Sequence, residues 1–241
     1  FYGHSNAITS LAVHSSHTIL FSASLDSTIR VWKLETNNCI RILQDTDFGI
    51  NCIILTPNED FLFAAGGDSI IRKYQMNRDM ACALKMKGHS SEIYSICLGE
   101  RNELFSGSLD MSIKGWNTQN GDIIHNFEGH SEEVTKIICD DNDELMYSAG
   151  MENTIKIWNI EQRRCLYILS GHSMKISDMV LNDMKDTLYS SSYDATIRVW
   201  KLKDGKKCSN VLTAHTGPVT ALGYAPKHRI LCSAGVDKLI F

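Results

Sequence analysis

A histidine, a serine and an aspartate that can meet are the parts of a base, a nucleophile and an orienting carboxylate. Three such sets recur here: His4 with Ser22 and Asp26, His89 with Ser106 and Asp110, and His172 with Ser190 and Asp194. A tryptophan closes each of them, at Trp32, Trp116 and Trp200. A hydrolase needs one constellation, so multiplicity argues for a structural network in which each indole N–H also finds a partner. A buried polar group left unbonded costs about 1 to 3 kcal/mol, which is reason enough for a closed network to recur. No catalytic residue is expected, and the chain is read as a non-enzyme.

Metal chemistry fails on spacing. Five of the nine histidines follow Gly or Ala at a repeating position, and the other four (His14, His17, His125 and His228) have no cysteine at zinc spacing. The eight cysteines include no CxxC pair, and no Asn-x-Ser/Thr sequon is present. Neither a metal nor a cofactor is expected, and the thiols indicate a reducing intracellular compartment. The cytoplasm is the first choice, with the nucleus or cytoskeletal association as alternatives.

Composition narrows the class further. With 241 residues, 43% hydrophobic, 22% charged and a net charge of −4, the chain can bury a core and gives no electrostatic reason to bind nucleic acid. No window reaches the about 18 uninterrupted apolar residues that would span a bilayer, so membrane insertion is not expected. Protein or peptide partners remain.

The elements that must position the His, Ser, Asp and Trp side chains follow from a repeat. Trp32, Trp116, Trp158 and Trp200 are spaced by 84, 42 and 42, and Tyr74 lies 42 from either neighbour. Gly-His recurs at residues 3–4, 88–89, 129–130 and 171–172, with Ala214-His215 as a variant. The small-residue turn reads SASLD, AAGGD, SGSLD, SAGME, SSSYD and SAGVD from residues 22, 64, 106, 148, 190 and 233. After each opening comes an apolar run (Ile8 to Val13, Ile50 to Leu55, Ile93 to Leu98, Val134 to Cys139, Ile176 to Leu181, Val219 to Tyr224) that reads as a strand. A second strand, an acidic turn, a third strand ending near the Trp and a fourth strand follow. The chain is therefore all-β with sequential antiparallel pairing, and it leaves no room for a helix of ordinary length.

The period, the Gly-His opening and the aromatic closing resemble the WD-repeat β-propeller family along the whole chain. The resemblance implies four-stranded antiparallel blades, about six of them visible, at residues 4–44, 45–87, 88–128, 129–170, 171–213 and an incomplete 214–241. They are expected to form one propeller that is part of a seven-bladed ring and a fragment of a longer protein. It also implies that the His, Ser, Asp and Trp of each blade form a hydrogen-bonded tetrad. Repeat four carries His130, Ser148, Glu152 and Trp158, with Glu for Asp. Repeat two keeps Asp68 but has Thr46, Ala64 and Tyr74, and is expected to be held more by packing than by polar contacts and to be the softest blade. Repeat six has His215, Ser233 and Asp237.

The resemblance further implies that partners dock on the narrow face, where the residue before the turn acid points. Those residues are Leu25, Gly67, Leu109, Met151, Tyr193 and Val236, with Glu92, Tyr94, Glu133, Lys175 and Pro218 beside them. An exposed apolar ring of this kind marks an interaction surface. No Arg stands on it, which disfavours phosphopeptide reading. No Asp follows a tryptophan, so the Trp-Asp-x-Arg link to cullin ubiquitin ligases is missing and a substrate-receptor role is disfavoured. The leading expectation is a non-catalytic scaffold subunit of a larger intracellular complex. The alternative is a regulatory or targeting propeller appended to a multidomain enzyme or to a cytoskeletal or ciliary protein. Two opposite charge clusters, acids at residues 128–144 and Lys201, Lys203, Lys206 and Lys207, read as solvated surface or a charged docking patch.

Overall fold

The computed structural model describes residues 1–76, 79–99, 103–140, 144–203 and 206–241, and among these every regular element is a strand. The first sheet runs β1 (Ile8–Val13), β2 (Ile19–Ser24), β3 (Ile29–Lys33) and β4 (Asn38–Leu43). The second runs β5 (Ile50–Leu55), β6 (Phe61–Gly66), β7 (Ile70–Gln75) and β8 (Cys82–Lys87). The third runs β9 (Ile93–Leu98), β10 (Glu103–Ser108), β11 (Ile113–Asn117) and β12 (Ile123–Phe127). The fourth runs β13 (Val134–Cys139), β14 (Leu145–Gly150), β15 (Thr154–Asn159) and β16 (Arg164–Ser170). The fifth runs β17 (Ile176–Leu181), β18 (Thr187–Ser192), β19 (Ile197–Lys201) and β20 (Lys207–Leu212). β21 (Val219–Ala225) and β22 (Ile230–Gly235) form a two-stranded sheet, with one further bridge from Ala234 to Ile240.

The chain divides into two compact units. The first holds the two sheets of β1–β8 and most of the third, and the second holds the sheets of β13–β22. Strands are short because turns punctuate them at fixed offsets. The residue after each turn acid (Ser27, Ser69, Met111, Asn153, Ala195 and Lys238) lies at φ between 61° and 70°, the left-handed third position of a three-residue hairpin loop. None of the six is glycine, so each such turn is held against a local steric cost by the strands it joins.

Packing in the first unit stacks one sheet on the next. Phe21, Val31 and Leu43 share a buried cluster with Ile50, Ile53, Leu62 and Tyr74. Fully burying a side chain of this size stabilises the fold by about 1.5 to 3 kcal/mol. Tyr147, Ile157 and Leu169 pack with Ile176, Met179 and Leu188 in the same way in the second unit. The corresponding face of β1 is open, with Ile8 56% and Leu11 60% exposed where their counterparts Ile50 and Ile53 are 5% and 6% exposed.

Polar contacts join the sheets as well. Each first strand slips its register against the second strand after its first residue, so one residue there is left out of the ladder. The displaced side chain reaches the neighbouring sheet. Thr9 Oγ1 donates to the carbonyl of Ile50 (2.5 Å), Asn51 Nδ2 to that of Ile93 (2.8 Å) and Thr135 Oγ1 to that of Ile176 (2.7 Å). Each acceptor is the first residue of the next first strand. A Thr135→Val variant keeps shape and loses the donor, leaving a carbonyl without its partner. Its unfolding free energy in urea should drop by about 1 to 2 kcal/mol, whereas an unchanged midpoint would show that packing alone joins these sheets.

Candidate functional site

The His, Ser, Asp and Trp side chains lie on four separate elements of each repeat: the loop before the first strand, the second strand, the acidic turn and the third strand. In the first sheet His4 Nδ1 is 2.7 Å from Asp26 Oδ2, and His4 Nε2 is 2.7 Å from Ser22 Oγ. Trp32 Nε1 donates to the same Ser22 Oγ over 2.7 Å. His89, Ser106, Asp110 and Trp116 repeat these contacts at 2.7 Å throughout, and His172, Ser190, Asp194 and Trp200 at 2.8 Å. In the fourth sheet His130 joins Glu152 (2.9 Å) and Ser148 (2.5 Å), with Trp158 on Ser148 (2.7 Å) and Lys156 on Glu152. The longer glutamate reaches the same histidine atom and also takes Ser131 Oγ. His215 holds Asp237 and Ser233 at 2.8 and 2.9 Å, and the edge of Phe241 packs on the His215 ring.

Each serine oxygen accepts the indole N–H, which leaves its own proton for the histidine Nε2, while Nδ1–H points to the carboxylate. This is the hydrogen-bond order of a catalytic triad, but Ser106, Ser148 and Ser190 are 0% exposed. No substrate atom can approach the hydroxyl. Burial lowers the affinity of these imidazoles for a proton, taking His130 down to about 4 and displacing His89 and His172 in the same direction. Burial opposes ionisation of Asp194 too, but hydrogen bonds from Thr196, His172 and the Ser173 amide outweigh it and hold the carboxyl at about 2.

The second repeat is organised differently from its sequence expectation. Thr46 Oγ1 donates to Asp68 (2.9 Å), and both terminal nitrogens of Arg72 bond the same carboxylate at 2.5 and 3.1 Å. Arg72 also donates to the Asp45 carbonyl (3.1 Å) and is only 6% exposed. This repeat therefore carries a polar network of its own beside the packing of Leu62, Ala64 and Tyr74. A cavity of about 10 Å³ lies among Thr46, Ala64, Asp68, Arg72 and Tyr74, where the smaller residues replace His and Ser. Sequence reasoning passed over the basic residue four places after each of the first five turn acids: Arg30, Arg72, Lys114, Lys156 and Arg198. Its recurrence was the available signal.

The turn residues proposed as a rim are fixed by main-chain bonds. In the first unit the amides of Leu25, Gly67 and Leu109 donate to the carbonyls of Ala7, Gly49 and Glu92, each over 2.9 Å. In the second unit those of Met151, Tyr193 and Val236 donate to Glu133, Lys175 and Pro218 over 3.0, 3.0 and 2.8 Å. Leu25 and Val236 are well exposed, at 41% and 60%, but Leu109, Met151 and Tyr193 are half-buried, so an openly exposed ring overstates the surface. The Tyr193 face is covered by Lys175 Nζ at 4.0 Å. Tyr94 sits at the displaced, register-slip position of β9, and Glu92 accepts a bond from Asn51.

Two residues missing from the expected rim restore its apolar character. Phe48 and Met174, at the same repeat position two residues before a first strand, are 57% and 49% exposed. Phe48 lies against Gly67, whose missing side chain leaves the space, and Leu25 lies against Gly49. The expected His14–His17 turn is tied down, His14 standing 3.1 Å from Glu59 of the next sheet's turn. Within the acidic run, residues 141–143 lie outside the described residues.

Comparison with known proteins matches the chain to the family described as "WD domain, G-beta repeat" over residues 1–33, 37–75, 80–117, 121–159, 163–201 and 206–241. The chain belongs to the WD-repeat family. Among its WD-repeat relatives, pre-mRNA-processing factor 19 of Mus musculus is 27% identical over 140 residues, covering 56% of this chain and 27% of the relative. The probable coatomer subunit beta' of Schizosaccharomyces pombe is 30% identical over 131 residues, 53% of this chain and 16% of the relative. The target of rapamycin complex subunit wat1 of the same yeast is 27% identical over 126 residues, 52% of this chain and 40% of the relative. The matched part of this WD-repeat chain thus spans well under half the length of each of these relatives.

Two measurements examine the networks. Ser106→Ala strands the Trp116 N–H and the His89 Nε2 in a dry site and should lower unfolding free energy by about 3 kcal/mol; a loss below about 0.5 kcal/mol would mean that the bonds are dispensable. The buried histidines are harder to protonate folded than unfolded, so the unfolded chain takes up protons first as pH falls. Stability should be flat above pH about 7, decline below about 6.5 as the unfolded histidines charge, and fall further below about 4.5 through the Asp194 and Glu152 carboxyls. Urea midpoints that are constant from pH 7 to about 5 would refute this order.

Proposed function

We propose that this chain is a non-catalytic scaffold that docks protein segments on the ends of its sheets where the second-to-third-strand turns emerge. The observation that carries the reading is the pair of apolar surfaces at those turns. Leu25 and Phe48 stand exposed over Gly49 and Gly67 in the first unit, and Met174 and Val236 stand exposed in the second. Apolar side chains on rigidly bonded turns are suited to capturing an apolar partner side chain, since little conformational freedom is lost on binding. The absence of an accessible nucleophile in the serine networks supports the non-catalytic part. Two of the relatives are named as subunits, one of a coatomer and one of a target of rapamycin complex, which supports a place in an assembly. Their greater length supports a second reading in which this propeller is the docking module of a larger polypeptide.

Affinity capture from a lysate, with quantitative mass spectrometry on the wild-type chain and on Leu25→Asp/Phe48→Asp and Tyr193→Ala variants, examines the proposal. Proteins captured by the wild type should be depleted about tenfold or more in at least one variant that melts normally. Equal capture by all three folded proteins would remove these surfaces from consideration.

A further inference from the structure

The opposite ends of the sheets in the second unit have a different chemistry. We propose that the turns joining β17 to β18, β19 to β20 and β21 to β22 form a docking surface for an acidic peptide segment that carries an apolar residue. In residues 182–186, 201–203, 206–207 and 226–229 the sequence places seven Lys and Arg against two Asp, in a chain whose net charge is −4; Asp204 lies outside the described residues. The turns emerge from one end of neighbouring sheets, because each follows the first or third strand of an antiparallel set.

Contacts make the surface continuous. Lys206 Nζ lies over the Tyr167 ring of β16 at 3.9 Å, and the Leu202 amide donates to the Asp186 carbonyl over 2.9 Å. Tyr224 Oη, on the strand that leads into the third turn, donates to Asp183 of the first over 3.2 Å. The two described carboxylates are already engaged by neutral donors: Asp183 by that hydroxyl, and Asp186 by Asn182 Nδ2 (2.8 Å) and Thr187 Oγ1 (2.9 Å). Among the described residues, Lys203, Lys206, Lys207, Lys227 and Arg229 make no salt bridge. Their charge is available to a partner.

The apolar part of the partner follows from what stands among these cations. Met184, at the tip of the first turn, is 61% exposed, and Tyr167 and Ile168 of the adjoining β16 are 48% and 57% exposed. Lysine ammonium groups act as point charges suited to single carboxylates, and only one Arg, Arg229, offers the planar fork that favours phosphate. Asp183 and Asp186 inside the patch would repel a continuous row of phosphates, so a nucleic acid or an anionic bilayer fits less well than carboxylates spaced along a peptide. Asp140 and Glu144, on the first turn of the neighbouring sheet, bound the patch on one side and give the peptide a preferred direction.

Fluorescence anisotropy of a labelled glutamate-rich peptide with a central Leu-Trp pair examines this on the intact chain. Saturable binding should weaken about tenfold in Lys203→Glu/Lys206→Glu/Arg229→Glu and about tenfold between 50 and 300 mM salt, as expected for screened charges. Met184→Asp should weaken it as well, while Ile40→Asp, at an exposed position of the first unit, should leave it unchanged. Should the triple variant melt early, Lys227→Glu/Arg229→Glu is read in its place. No saturable binding at low salt, equal binding by folded charge variants, or tighter binding of oligothymidylate or phosphatidylserine vesicles than of the peptide would each overturn the proposal.

Discussion

One buried hydroxyl oxygen in most repeats holds three chain segments together. Ser22, Ser106, Ser148 and Ser190 each accept from a tryptophan of the third strand and reach a histidine of the preceding loop. The histidine in turn bonds the acid of the turn between second and third strands. An indole N–H has no second way to be satisfied in a dry interior, and an imidazole has two nitrogens to satisfy at once. The loop, the strand and the turn are therefore positioned together or not at all. Because the turn acid is fixed in this way, the residue before it is presented at a defined place on the sheet end, and that is where the proposed docking surface arises.

The variants of this network show what is essential in it. The fourth repeat accepts a longer acid because Glu152 still reaches the histidine through Oε1, to which Lys156 also donates, while Ser131 donates to Oε2. The second repeat loses His, Ser and Trp together, and Arg72 then takes over the acid from the third strand. In both cases the turn carboxylate is retained and remains fully bonded. A buried carboxylate is costly unless it is paired, so the acid is the part that cannot be left without partners, and the groups around it are exchangeable.

Function in such a scaffold resides in side chains that the network positions but does not consume. The two ends of the sheets differ in this respect. One end carries exposed apolar groups, Leu25 and Phe48 against glycines in the first unit and Met174 and Val236 in the second. The other end, in the second unit, carries a cluster of Lys and Arg around the exposed Met184. The same backbone thus presents two chemistries because turn residues contribute little to the core and are free to differ from repeat to repeat.

The sequence by itself determined the repeat length, the strands, their antiparallel order and the identity of the His, Ser, acid and Trp positions. These are legible because they recur at a fixed offset, and because the alternation of a strand and the residues of a tight turn are local properties. Tertiary structure decided everything that depends on which residues some 42 positions apart meet. Thr9, Asn51 and Thr135 look like ordinary polar strand residues until a register slip frees them to bond the next sheet. Arg72 looks like a solvated strand residue until the loss of the histidine brings its guanidinium to Asp68. Phe48 was hidden because the expected position, Gly67, is empty, and only the packing of loop on turn shows that the aromatic ring comes from the neighbouring segment. The half-burial of Leu109, Met151 and Tyr193 was likewise undecided, since exposure at a turn depends on the neighbouring loops and on contacts such as that of Lys175 with Tyr193.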